Sequence, residues 1–153
     1  MIIEQRKLEE RIEHFKSVCR DSGIKLTPQR LEIFREIART GDHPDAEGIH
    51  KGVRKSMPMV SLDTVYRTLW LLKDLGLIKT LGTHHDRARF DANLEHHHHF
   101  VCSKCGMTRD FTSSELDNLE FSETLKSIGS VESAQVEVRG ICNECESKQG
   151  TSN

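Results

Sequence analysis

The chain contains no apolar run long enough to cross a membrane, and residues 1–11 are charged and lack the apolar core of a signal peptide. These absences predict a soluble, cytoplasmic protein with no membrane partner. They also disfavour disulfides among its five cysteines, because disulfides persist in oxidising compartments. The zinc-protease pattern H-E-x-x-H and the deaminase pattern H-x-E with P-C-x-x-C are missing too. We therefore expect that the chain is not an enzyme.

The cysteines and histidines that are present form two groups. Two C-x-x-C pairs can supply the four thiolates that Zn²⁺ takes in a closed tetrahedral site. The pairs are Cys102 with Cys105 and Cys142 with Cys145. A histidine run, His96 to His99, offers nitrogen donors that suit, together with carboxylates, a second ion such as Fe²⁺, Mn²⁺, Co²⁺ or Zn²⁺. A strand-like segment and the cysteine pairs follow this run, which argues against a terminal purification tag.

If the histidine run lies on a strand, its four side chains divide between the two faces of that strand. Side chains alternate along a strand, so His97 and His99 would point to one face and His96 and His98 to the other. Without the cysteines, a solvated polar face would explain the histidines equally well. The fifth cysteine, Cys19, falls in a helical pattern and is most simply a small core residue.

Charge and periodicity distinguish the first half of the chain. Residues 1–80 carry 15 Lys and Arg against 12 Asp and Glu, a net +3, whereas residues 81–153 carry 7 against 12, a net −5. The basic half is therefore the better candidate for a polyanionic partner. Helical spacing of its apolar residues predicts four helices joined by short turns. They cover residues 4–21, start at Pro28 behind Thr27, cover residues 45–56, and run from behind Ser61 to Gly76.

Two strand-like stretches, 77–81 and 87–91, follow the fourth helix. Three compact helices with a two-stranded hairpin form a winged helix, which docks its last helix in the major groove of DNA. With the apolar stripe of that helix inward, Thr64, Arg67 and Thr68 face outward and can bond phosphates or base edges. Tyr66 would lie at the boundary. On periodicity alone, Tyr66 and Arg67 are explained equally well as ordinary surface residues.

The second half predicts strands with one helix. Strands near 100–101 and at 108–111 flank the first cysteine turn, and a capping box from Thr112 to Glu115 begins a helix that reaches about Ile128. A last strand at 133–139 alternates Ala134, Val136 and Val138 on one face. Antiparallel strands with a helix can extend a sheet across a two-fold axis. Such a homodimer would place two reading helices on a pseudo-palindromic operator.

Four separated runs, in order, resemble the ferric uptake regulator family. They are Leu26-Thr27-Pro28-Gln29-Arg30, Thr64-Val65-Tyr66-Arg67-Thr68-Leu69, the segment from His96 to Gly106, and Gly140-Ile141-Cys142-Asn143-Glu144-Cys145. The resemblance implies an α+β protein with an N-terminal winged-helix DNA-binding domain at 1–89, a hinge at 90–95, and a small α/β dimerisation domain with a four-cysteine zinc site at 96–153. It implies a metal-dependent repressor that binds double-stranded DNA as a homodimer. Its implied DNA-binding residues are Arg30, Thr64, Tyr66 and Arg67.

The resemblance also implies a regulatory metal site for Fe²⁺ or Mn²⁺, besides structural Zn²⁺ at the four cysteines. Its ligands would be His43, Asp91, His97, His99 and Asp110. A further metal site of the family would match His96, His98, Asp117 and Ala134. Because alanine offers no donor atom, we expect this further site to be degenerate or absent.

The carboxylates help to separate branches of the family. Asp110 and Asp91 resemble the peroxide-responsive branch, whereas glutamate at the position of Asp110 is usual in iron sensors. The implied function is a repressor that senses peroxide through metal-catalysed oxidation of His43 and His97. Arg67 instead resembles the reading helix of iron and zinc sensors, which keeps an iron-responsive regulator, or another divalent-metal sensor of the family, as an alternative. A zinc-ribbon interaction module is the alternative of another class, although the 36 residues between the cysteine pairs exceed the usual ribbon spacing.

Overall fold

A computed structural model describes residues 2–81 and 88–150. The chain divides into two compact units, Met1–Leu94 and Glu95–Asn153, called here the N-terminal and C-terminal units. The division falls inside the segment expected to be a hinge, while the roles expected of the two domains stay predictions. Across the described ranges, none of the helices combines the length and apolar character that a bilayer span requires.

Four helices form the N-terminal unit. They are α1 (Gln5–Asp21), α2 (Pro28–Ala38), α3 (Ala46–Val53) and α4 (Leu62–Asp74). Side-chain oxygens cap three of them: Thr27 accepts the Arg30 N–H at 3.2 Å, Asp45 accepts the Gly48 N–H at 2.8 Å, and Ser61 accepts the Thr64 N–H at 3.1 Å. The predicted starts of α2 and α4 are therefore confirmed. Helix α3 ends earlier than expected, because the chain turns after Val53.

The core of this unit lies between the four helices. The Phe15 and Phe34 rings stack with centroids 4.6 Å apart, and Cys19 is buried beside them as expected. Helix α4 buries Val65, Leu69 and Leu72. The expectation that Thr68 faces outward was wrong, because Thr68 lies three residues after Val65 on the same stripe and is only 5% exposed.

A short hairpin completes the N-terminal unit. Strand β1 (Lys79–Leu81) pairs antiparallel with β2 (Arg89–Asp91), so that Lys79 faces Asp91. Both strands are shorter than expected: Leu77 and Ile78 are buried but precede β1, and residues 82–87, which join the two strands, lie outside the described residues. An isolated bridge between Asp45 and Arg89 fastens β2 to the loop before α3.

A three-stranded sheet forms the centre of the C-terminal unit. Its strands are β3 (His98–Cys102), β4 (Thr108–Phe111) and β5 (Glu137–Gly140), in the order β4-β3-β5. Strand β4 has the predicted bounds and is antiparallel to β3. Strand β5 is shorter than expected and runs parallel to β3, so the prediction of antiparallel strands holds for β4 and was wrong for β5. Strand β4 ends at the end of the sheet where β3 begins, and the long segment after β4, called here the crossover, leads past β3 to its other edge, where β5 starts in the same direction as β3.

The crossover contains two short helices where one was expected. They are α5 (Ser114–Asp117) and α6 (Glu123–Ile128), and Ser113 rather than Thr112 caps the first by accepting the Leu116 N–H at 3.3 Å. No residue of either helix is buried, so no continuous apolar face holds them in one helix. A last helix, α7 (Asn143–Gln149), begins behind Cys142, contains Cys145 and was not predicted.

Candidate metal centres and nucleic-acid interface

The four paired cysteines meet at one end of the sheet. Cys102 ends β3, and the turn to Cys105 closes through the Gly106 N–H, which donates to the Cys102 carbonyl at 2.9 Å; Gly106 itself has φ +75°. Parallel pairing sets Cys102 opposite Gly140, two residues before Cys142. The four sulfur atoms all lie within 4.8 Å of one another; they belong to Cys102, Cys105, Cys142 and Cys145.

Backbone N–H groups stabilise the thiolate form of Cys102. The N–H groups of Cys105 and Cys142 lower the pKa of the Cys102 thiol to about 6, and the Cys142 N–H lies 3.3 Å from its sulfur. The hydrogen bond with the Cys142 side chain, together with burial, raises the pKa of Cys145 to about 12. A soft divalent cation replaces the shared protons and neutralises the thiolates, so this donor set fits Zn²⁺.

His43 and Asp91 meet within the N-terminal unit. The His43 Nδ1 atom lies 3.5 Å from the Asp91 Oδ1 atom, and both side chains are buried. His43 has φ +48°, a left-handed conformation that costs free energy for any residue except glycine. Strand β2 holds this conformation: Phe90 donates its N–H to the Pro44 carbonyl at 3.1 Å, and Arg89 donates to the His43 carbonyl at 3.3 Å.

His97, His99 and Asp110 meet within the C-terminal unit. His99 and Asp110 are directly opposite on β3 and β4, with His99 Nε2 3.2 Å from Asp110 Oδ1. The Nε2 atoms of His97 and His99 are 3.0 Å apart, and His97 Nε2 lies 3.5 Å from the same carboxylate oxygen. The Nδ1–H of His97 donates to the Glu95 carbonyl at 2.5 Å. This bond leaves the Nε2 lone pair facing His99 and Asp110, as in most histidines that bind metals.

The intervening histidines meet Asp117 on the other face of the strand. The Nε2 atoms of His96 and His98 lie 3.0 and 2.9 Å from Asp117 Oδ1. His98 Nδ1 accepts the Val136 N–H at 3.1 Å, so in the neutral ring Nε2 carries the proton and donates it to Asp117. The His98 ring therefore presents a proton, and not a lone pair, to the position that a metal ion between His96, His98 and Asp117 would occupy. Ala134, which matches the fourth position of this further metal site, lines the adjoining cavity of about 290 Å³ together with His96 and Asp117.

Backbone partners therefore give neighbouring histidines opposite tautomers. Strand alternation separates the two faces, as the sequence predicted, and His97 and His98 differ further in which ring nitrogen carries the proton of the neutral ring. A sequence does not reveal this difference, because the carbonyl of Glu95 and the amide of Val136 reach the rings only through the fold. The donor set on the His97 face suits a metal ion, whereas the donor set on the His98 face is satisfied by hydrogen bonds.

Helix α4 presents a continuous exposed face. Its members lie at positions i, i+3, i+4, i+7, i+10 and i+11, which share one side of a helix, and are Asp63, Tyr66, Arg67, Trp70, Lys73 and Asp74. Tyr66 is 44% and Trp70 60% exposed, and the Lys73 ammonium lies 5.2 Å from the centre of the Trp70 ring. Arg67 donates from Nε to Asp63 Oδ2 at 2.9 Å. Asp63 and Trp70 were missed in the sequence, although their spacing from Arg67, four residues before and three after, marks the same face.

The other expected DNA contacts are placed differently. The Thr64 hydroxyl lies 2.9 Å from the Ser61 hydroxyl, inside the cap of α4. Arg30 is half-buried at the start of α2, where it donates to the Lys25 carbonyl at 2.6 Å. Neither residue belongs to the exposed face of α4, and their contacts with DNA stay predictions.

Comparison with known proteins identifies the family of this arrangement. The model of the ferric uptake regulator family matches residues 21–139, which spans both units. The chain belongs to the ferric uptake regulator family. Members of this family are transcriptional regulators and not enzymes.

Named relatives support the assignment over nearly the whole chain. The peroxide-responsive repressor PerR of Staphylococcus aureus (strain Mu50) is 32% identical over 148 residues, which are 97% of this chain and 100% of that protein. The ferric uptake regulator of Helicobacter pylori, described as having three functional metal-binding sites, superposes with a TM-score of 0.73 at 26% identity, covering 95% of this chain and 97% of that one. The Campylobacter jejuni peroxide stress regulator superposes with a TM-score of 0.65 at 27% identity, covering 88% and 98%.

Proposed function

We propose that the chain is a homodimeric, metal-dependent repressor that acts in the cytoplasm, binds a pseudo-palindromic DNA operator and responds to peroxide. Fe²⁺ or Mn²⁺ would be the regulatory ion, and Zn²⁺ would be bound by the four cysteines. The proposed regulatory ligands are His43, Asp91, His97, His99 and Asp110. The observation that carries the proposal is the meeting of two imidazoles and one carboxylate within 3.5 Å on one face of the C-terminal sheet.

The chemistry of that face supports a redox-active ion. Two histidines and one carboxylate, with further positions open, are a donor set typical of Fe²⁺ in non-haem oxygen chemistry. The Glu95 carbonyl fixes the orientation of the His97 ring, and the opposite strand fixes the Asp110 carboxylate beside it. Neither side chain needs to reorient before it can act as a ligand.

The response to peroxide follows from the position of the histidines. When bound, Fe²⁺ supplies the reduction of hydrogen peroxide that oxidises a neighbouring imidazole, so that one peroxide oxygen ends on a ring carbon and the other leaves as water. His43 and His97 are the rings we expect to be modified. An oxidised ring is a poorer ligand, so the protein would lose its preference for the DNA-binding arrangement. That preference is about 1–3 kcal/mol in typical allosteric coupling.

The N-terminal unit supports DNA as the partner. Its hairpin and its exposed α4 face combine an arginine, a lysine and two aromatic side chains, which can contact phosphates, sugars and base edges. The family match covers this unit, which a zinc-ribbon module does not account for. An iron-responsive regulator of the same family is the second candidate, and Arg67 is the residue that favours it.

The decisive experiment is peptide mass spectrometry after brief treatment of the iron-loaded, zinc-replete protein with hydrogen peroxide. We expect one added oxygen atom on His43 or His97, and none on His14, an exposed histidine of α1. Protein loaded with Mn²⁺ is the matched control and should stay unmodified. Binding to operator duplexes, selected from randomised DNA, should be lost in parallel with the modification.

Other results would point elsewhere. Unmodified histidines with iron-dependent DNA binding retained would establish the iron-responsive alternative. Equal DNA binding with and without Fe²⁺ or Mn²⁺ would overturn the whole proposal. The variant Asp110→Glu adds a test of the branch, because we expect it to keep metal-dependent DNA binding and to lower the yield of oxidised His97.

A further inference from the structure

The exposed face of α4 contains an acidic side chain where DNA would bind. Asp63 lies in the first turn of the helix, and its side chain is 70% exposed. Duplex DNA is densely negative, so a carboxylate on a DNA-binding face weakens attraction to every sequence alike. Asp63 therefore lowers the affinity for DNA in general, and its benefit would have to be better discrimination between DNA sequences.

The contact of Asp63 with Arg67 indicates what it does. Asp63 Oδ2 accepts a hydrogen bond from Arg67 Nε at 2.9 Å, between side chains one helical turn apart. The guanidinium is planar, so engaging Nε directs the two Nη groups away from Asp63 as a free edge. That edge has the geometry for paired hydrogen bonds to O6 and N7 of guanine in the major groove.

The same contact restrains non-specific binding. A free arginine reaches phosphates in many orientations. The pair of Arg67 with Asp63 carries little net charge, and its hydrogen bond favours one of these orientations, although 81% of the Arg67 side chain is exposed. A DNA surface also excludes water from the pair and strengthens it. Asp63 would therefore lower binding to duplexes that lack the matching guanine more than binding to a duplex that has it.

We propose that Asp63 is a specificity-determining residue that holds the Arg67 guanidinium toward a guanine of the operator. The proposal rests on the proposed function, since it needs α4 to lie in the major groove. It differs from a direct role for the acid, in which Asp63 would itself accept a hydrogen bond from a cytosine or adenine amino group.

The test is selection of binding sites from randomised duplex DNA with metal-loaded protein, compared among four variants. They are Asp63→Ala, Asp63→Asn, Arg67→Ala and Asp74→Ala. Asp63→Ala should lose preference at the base pair that Arg67→Ala also loses, with discrimination there falling about tenfold. Its affinity for a scrambled duplex should rise, and the salt slope should steepen by about one as Arg67 becomes free to bind phosphate. Asp63→Asn keeps an acceptor oxygen and should be intermediate.

Asp74→Ala controls for charge. It removes one acid from the far end of the same face, two helical turns after Arg67, and should leave discrimination at the base pair that Arg67 reads unchanged. The proposal is overturned if Asp63→Ala selects the wild-type motif with equal discrimination, or if it loses a base pair that Arg67→Ala keeps. A wild-type protein that selects no motif would overturn the proposed function instead, which separates the two failures.

Discussion

The hydrogen-bonded histidine on the Asp117 face allows a quantitative prediction. His98→Ala removes the acceptor of the Val136 N–H, which costs about 1–2 kcal/mol for a partly buried amide, and empties the space of a fully buried ring, which costs roughly 1–3 kcal/mol. The lost bond to Asp117, 40% exposed, adds little. We expect the free energy of unfolding of the zinc-loaded protein to fall by about 2–5 kcal/mol in total.

His96→Ala is the matched control. His96 contacts the same carboxylate, but 51% of its side chain is exposed, so its loss should cost under about 1 kcal/mol. Urea unfolding measures both values. Amide hydrogen exchange at Val136 should accelerate in His98→Ala alone, and His98→Asn should restore part of the protection because its Oδ1 replaces the Nδ1 acceptor.

Metal content distinguishes this hydrogen-bonded role from a metal-binding role. If His96 and His98 only form hydrogen bonds, both alanine variants keep the metal content of the wild type after loading with Mn²⁺ or Zn²⁺. Equal loss of one ion per chain in both variants, with no difference at the Val136 amide, would refute the reasoning. The outcome also bears on the relative with three metal-binding sites, since this chain would then have one fewer.

Three further changes test other parts of the chain. Cys142→Ser, or chelation of zinc, should unfold the C-terminal unit, measured by circular dichroism and zinc content, while the helices of the N-terminal unit persist. Ser61→Ala should destabilise the N-terminal unit by about 0.5–2 kcal/mol in thermal unfolding, whereas Ser61→Asp, which keeps a capping oxygen, should not. His43→Asn should be more stable than His43→Ala, because asparagine tolerates a left-handed φ, yet both should lose metal-dependent DNA binding. Equal stability of the two His43 variants would contradict the backbone explanation.

Local chemistry decided which parts of the fold the sequence could predict. Thr27 and Ser61 predict the starts of α2 and α4 because each side-chain oxygen accepts a hydrogen bond from the N–H only three residues later. Strand β5 offers no such signal: its direction depends on the path of the crossover, and no side chain within it encodes a parallel partner. Thr68 was misplaced because its hydroxyl looked polar, although its spacing from Val65 already set it on the buried stripe.

The candidate sites divide in the same way. The cysteine pairs and the alternation of the histidines follow from spacing alone, and the structure brings the four sulfurs together. The resemblance to a family supplied His43 and Asp91, which lie far from the histidine run in sequence. The ring tautomers and the strained backbone of His43 arise from contacts that only a folded chain makes. The pairing of Asp63 with Arg67 instead follows from their spacing of four on a helix and could have been predicted from the sequence.

The alignment of β3 with its neighbours has a consequence for metal choice. His99 lies opposite Asp110 because β3 is fixed at Cys102, where the turn to Cys105 and the parallel pairing with Gly140 both begin. A slip of one residue would exchange the two faces of the strand and bring His98 instead of His99 beside Asp110. The turn at Cys102 therefore fixes which histidines face Asp110. A zinc ion bound by the four cysteines would stabilise this alignment from three residues away, and its loss would disturb the set of imidazoles available to the proposed regulatory ion.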